Sequence, residues 1–204
     1  MARLVQKGIA SIADWLGDRV TDYTGLAAVR VPLQRDCGPR AQTLPVPGYV
    51  QTNSYACGAI AAASVVRYFR PEIEFGTVWE AVDPEPELGA GIRQVARALR
   101  SFGLRVMHKR QLRFADLCRA IDAGCPVLTV IRNPGADCQH WVAVYGYRRI
   151  PDAVYIANNG LPFFTSNRVS KSAFEKLRDP KGNGRICRAG ISPIGRPNGH
   201  SRSK

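Results

Sequence analysis

Cys57 opens the run Cys57-Gly58-Ala59-Ile60-Ala61-Ala62-Ala63-Ser64, and Gln51 stands six positions before it. A thiol at the first turn of a helix meets unpaired N–H groups and the positive end of the helix dipole, which favour the thiolate. The expected chemistry is nucleophilic attack on a carbonyl. Such chemistry needs three further groups: an imidazole to take and return the proton, a group to hold that imidazole in one tautomer, and donors for the oxyanion. His140, at the head of His140-Trp141-Val142-Ala143-Val144-Tyr145-Gly146-Tyr147, supplies the imidazole. Asn158, in Ile156-Ala157-Asn158-Asn159-Gly160, supplies the orienting group, with Asn159 as its adjacent rival. The Gln51 side-chain amide and the Cys57 backbone N–H supply the oxyanion donors. His108 and His200 have no such context and read as structural or exposed.

These residues must be held by helices that come first and strands that follow. Apolar positions at Leu4, Val5, Ile9, Ile12, Ala13, Leu16 and Val20 predict a helix over 3–20 that packs outside the body. Pro32, Gly38, Pro39, Pro45, Pro47 and Gly48 predict an extended, loop-like lead-in over 31–50. Residues 57–70 predict a helix that Pro71 stops, its small side chains letting it lie close to other backbone. Shorter helices are expected over 77–82, 91–102 and 114–123, with Gly103 and Gly124 as stops. Strands follow at 104–108, 126–131, 140–147, 154–158 and 161–165, and a last helix begins at Ser170. Helices followed by an antiparallel sheet give an α+β fold.

A chain of 204 residues makes one domain with tails, and a 45% hydrophobic fraction is sufficient for a core. The expected division is an N-terminal helix and lead-in over 1–48, a catalytic body over 49–191 and a basic, disordered tail over 192–204. Charge follows that division. Residues 167–204 carry ten basic and two acidic side chains, so +8 of the net +13 sits there, while 51–166 carries only +3. This end reads as a solvated tail; its functional alternative is a contact with an anionic partner, nucleic acid or lipid surface. The six cysteines include no Cys-x-x-Cys pair and read as reduced thiols. With three histidines and none at ligand spacing, neither metal nor cofactor is expected. Lys7, Asp14 and Asp18 interrupt the N-terminus as a signal peptide, and no run is long enough to span a membrane. A cytoplasmic protein is expected. Oligomeric state leaves no mark in the sequence.

Taken in order, Gln-x5-Cys-Gly, Gly124-Cys125-Pro126-Val127-Leu128, the His140–Gly146 strand and Val154-Tyr155-Ile156-Ala157-Asn158-Asn159-Gly160 resemble the papain-like peptidases. Within them the pattern is similar to the bacteriocin-processing, double-glycine leader peptidase-like family, over residues 49–178. The resemblance implies a papain-like fold with a central nucleophile helix on an antiparallel sheet. It implies a cysteine peptidase with Cys57 as nucleophile, His140 as base, Gln51 in the oxyanion hole and a peptide or protein as substrate. That family carries Asp-Pro where this chain has Asn158-Asn159, and often an aspartate where it has Ala56. An asparagine orients imidazole without stabilising imidazolium by charge. Many family members are fused to a transporter, and this sequence contains no such segment, so a stand-alone domain is expected. Two other readings keep the fold: an acyltransferase or transglutaminase-like enzyme, and a catalytically inactive binding module.

Overall fold

The computed structural model describes residues 28–31, 40–51, 53–132, 138–157, 168–178 and 190–193. Outside these residues lie the expected helix over 3–20, the strand over 161–165, Asn158 and Asn159, His200, Cys37, Cys187 and nearly all of the basic tail.

Nine strands and five helices are described: β1 (Ala28–Val31), β2 (Ala41–Thr43), β3 (Gly48–Gln51), α1 (Cys57–Phe69), α2 (Phe75–Val82), α3 (Ile92–Ser101), β4 (Val106–Lys109), α4 (Phe114–Asp122), β5 (Val127–Arg132), β6 (Gln139–Arg149), β7 (Asp152–Ala157), β8 (Arg168–Ser170), α5 (Lys171–Arg178) and β9 (Gly190–Pro193). Seven strands form one antiparallel sheet in the order β4-β9-β5-β6-β7-β8, with β2 also on β6. β5 pairs with the first half of β6 (Val127 opposite Val144), and β2 takes the same edge further along (Thr43 opposite Gly146). β1 and β3 form a separate two-stranded ribbon. The fold is α+β, as the order of elements predicts.

α1 has no polar face over its first ten residues: Cys57 to Val66 are all buried. A helix apolar all round must be surrounded. Alanines from 59 to 63 let it lie against β6, and its one buried hydroxyl, Ser64, donates to the Ile60 carbonyl at 3.2 Å. β6 sorts its side chains by alternation. Trp141, Ala143, Tyr145 and Tyr147 join α1, α2 and α3 in one core. Val142 and Val144 face Leu117 of α4 and Phe174 of α5 in a second core. The sheet therefore carries helices on both faces, with α1 on the side that matters for the thiol.

Two expectations are corrected. Residues 31–50 are not one loop: they hold the end of β1, all of β2 and all but the last residue of β3. Prolines at 45 and 47 mark only the link between two short strands, and strands this short show no periodicity. At the other end β9 runs to Pro193 and sits between β4 and β5, so sheet residues continue past 191. Smaller differences are at boundaries: α2 starts at Phe75 and not at 77, and β4 covers Val106–Lys109 and not 104–108. Gly103 and Gly124 do end their helices, both at positive φ (78° and 74°), where a side chain would be strained.

Candidate active site

Asn53 makes the turn that delivers the thiol. Its side-chain oxygen accepts the Tyr55 N–H at 3.2 Å and the Ala56 N–H at 2.9 Å, and its carbonyl accepts the Gln51 side-chain amide. Asparagine suits this role because its short amide can bond backbone two or three residues on. No side chain caps α1. The first N–H groups of the helix are thus left for the sulfur. The thiol of Cys57 lies against the N–H groups of Gly58 and of Cys57 itself, and against the N–H of Trp141 from β6.

Burial works against those donors. Cys57 is 8% exposed. Burial, the largest effect, pushes its thiol up, Cys138 pushes it the same way, and the three N–H groups only oppose them. The sequence points to the helix dipole; the enclosure of α1 adds loss of water, which acts in the opposite direction and is the larger effect. Making a nucleophile here requires the proton to leave for a base.

His140 stands one residue before the Trp141 amide that meets the sulfur, as the second residue of β6, and is 9% exposed. Opposite it across the sheet is Ile131. Nucleophile helix and base strand thus converge at one point, through main-chain contact at Trp141. Gln51 ends β3, just before the Asn53 turn that leads to Cys57. One of its two amide hydrogens goes to the Asn53 carbonyl; an NH₂ group carries a second. Its side-chain oxygen is buried and has no hydrogen-bond partner among the described residues. Asn158 follows β7, whose last residue Ala157 is opposite Ala143 of β6, and lies outside the described residues. Among the described residues no group of three or more His, Cys, Asp or Glu could hold a metal ion. Cys57, Cys118, Cys125 and Cys138 form no disulfide.

Two contributors were not foreseen from the sequence. Asn53 could have been found, since an Asn just ahead of a helix start is a turn signal. The Trp141 amide could not, because a main-chain contact between distant segments leaves no residue-type signature.

A buried helix-end cysteine beside a histidine-bearing strand, on an α+β scaffold of this topology, defines the papain-like class of thiol peptidase folds. Residues 43–178 match the Peptidase C39 like family, and the chain belongs to that family. Among solved structures it is similar to the peptidase domain of Streptococcus ComA, described as a bifunctional ABC transporter involved in a quorum-sensing pathway. That match has a TM-score of 0.51 and 16% identity, over 71% of this chain and 95% of the other. It is also similar to a double-glycine-motif protease from an AMS/PCAT transporter, solved in complex with a leader peptide. Here the TM-score is 0.52 and the identity 16%, over 81% of this chain and 99% of the other. No curated protein matches the sequence. Among the described residues, no helix is long and apolar enough to cross a membrane.

Proposed function

We propose that the protein is a cysteine peptidase that hydrolyses peptide bonds. The observation that supports this best is the meeting of the Cys57 thiol with the Trp141 amide, next to His140. In this reading His140 takes the thiol proton as sulfur attacks the peptide carbonyl. Concerted transfer suits a thiol held neutral by burial, since no isolated thiolate has to exist beforehand. The Cys57 N–H and the second amide hydrogen of Gln51 receive the developing oxyanion, each such donor contributing about 3 kcal/mol to barrier lowering. His140 then gives its proton to the leaving amine, and water, deprotonated by the same imidazole, releases the acyl group. Asn158 orients the His140 ring. The peptide class of substrate is supported by family membership and by the structural neighbour solved with a leader peptide.

One observation favours a rival, a catalytically silent peptide-binding domain: the upward push on the Cys57 thiol. A single experiment decides. The wild-type protein and Cys57→Ala are incubated with a peptide library and the products read by mass spectrometry. The peptidase reading expects cleavage by wild type and none by Cys57→Ala, with equal circular dichroism. Cleavage surviving in Cys57→Ala, or absent from both, rejects it.

A further inference from the structure

The segment from Asp83 to Gly91 is a stiff hairpin that stands beside Cys57. Its waist is a two-way pair, Glu85 N–H to the Gly89 carbonyl at 2.8 Å and Gly89 N–H to the Glu85 carbonyl at 2.7 Å. At its base Gln94 joins both legs: its oxygen accepts the Gly91 N–H at 2.7 Å and its amide donates to the Asp83 carbonyl at 3.2 Å. Gly89, at φ 71°, passes close to the Tyr55 carbonyl, two residues before the thiol. The tip is exposed, and Leu88 is 82% exposed.

Trp141 fastens this hairpin to the nucleophile helix. Its indole N–H donates to the Ala90 carbonyl at 2.8 Å in a buried bond. Its ring packs on Gly58: a Cβ placed at Gly58 would come within 2.8 Å of the Ala90 Cβ and 3.2 Å of the Trp141 ring. The same residue's main-chain N–H meets the Cys57 sulfur. Hairpin, nucleophile and base strand are therefore located against one side chain. Nothing in a purely packed core requires an exposed hairpin to be clamped so tightly at this spot.

We propose that the Asp83–Gly91 hairpin is a wall of the peptide-binding cleft, and that Trp141 is the positioning residue that sets its distance from Cys57. This rests on the peptidase reading and adds a specificity element to it. The test compares two rates of Cys57 modification: by a peptide carrying an electrophilic carbonyl replacement, which must occupy the cleft, and by iodoacetamide, which need not. Trp141→Phe keeps an aromatic ring and loses the indole N–H together with the five-membered ring that carries it. The ratio of peptide to iodoacetamide rate is expected to fall about tenfold, the factor a buried hydrogen bond of ordinary strength represents. Gly58→Ala, which pushes Ala90 away, is expected to lower the ratio similarly. Ala90→Gly added to Gly58→Ala removes the closer of the two contacts, leaving the 3.2 Å approach to the Trp141 ring, and is expected to recover most of the ratio, a recovery that general loss of folding would not show. An unchanged ratio in Trp141→Phe and Gly58→Ala, or no recovery in the double variant, overturns the proposal. Wild type that reacts with iodoacetamide but with no peptide electrophile rejects the peptidase reading itself, and this proposal with it.

Discussion

At the scale of single residues, the protonation of Cys57 governs what the site can do. Burial raises the thiol above its unfolded value. The neutral form is thus favoured on folding, and its contribution to stability is fully present below the unfolded pKa and lost as pH rises through the folded one. Thermal denaturation followed between about pH 7 and pH 10, across the ordinary thiol value of about 8.5, should show wild type losing Tm more steeply than Cys57→Ala. Equal slopes would mean that the thiol is not held neutral by the fold. Asn53→Ala removes the shared acceptor of two N–H groups, at a cost of about 1–2 kcal/mol in urea denaturation. Peptidase activity should fall further than that stability loss explains, because the Asn53 turn aims Cys57. A variant with normal kcat/KM would show that the turn is dispensable. Cys57 and Gln51 stood out as candidates in the sequence because a cysteine before an alanine-rich run has a type and a spacing. The direction of the thiol shift was not, since it depends on how completely other elements enclose α1.

Among the elements, β6 is the one on which everything else is hung. β5 and β2 share one of its edges, β7 holds the other, and α1 covers its face. Its register slips between Val144 and Gly146, where β2 crosses. A Cβ at Gly146 would come within 2.6 Å of the Gln42 carbonyl oxygen and 2.7 Å of the Thr43 side chain. Gly146→Ala should therefore destabilise by about 1–3 kcal/mol in chemical denaturation, as overpacking against backbone does. A neutral substitution would show that β2 does not lie on β6 as described. The helices over 57–69, 92–101 and 114–122 were readable from periodicity and from their stops. β2 and β9 were not. Each is three or four residues long, and each is a strand only because a neighbouring strand supplies its hydrogen bonds.

For the whole molecule, the C-terminal part has two different characters. β9 lies between β4 and β5, His108 opposite Ile191 on one side and Leu128 opposite the same Ile191 on the other. Ile191 is fully buried. A chain ending after residue 178 loses the strand that joins β4 to the rest of the sheet, and should show no cooperative thermal transition. A chain ending after 193 keeps β9 and removes 194–204, and should melt within about 2 °C of wild type, the shift of a change well under 1 kcal/mol in a domain of this size. Similar melting of the two truncations would show that β9 adds nothing. The uneven charge was plain from the sequence, but the sheet strand inside that basic stretch was not, because glycine, proline and cationic side chains conceal it.

The contact between Trp141 and the Cys57 thiol also bears on time. During synthesis the N-terminal segments emerge first. Cys57 leaves the ribosome long before Trp141 and His140 exist. Until β6 is made, the thiol has neither His140 nor the Trp141 N–H beside it, and the hairpin lacks its bond from the Trp141 indole.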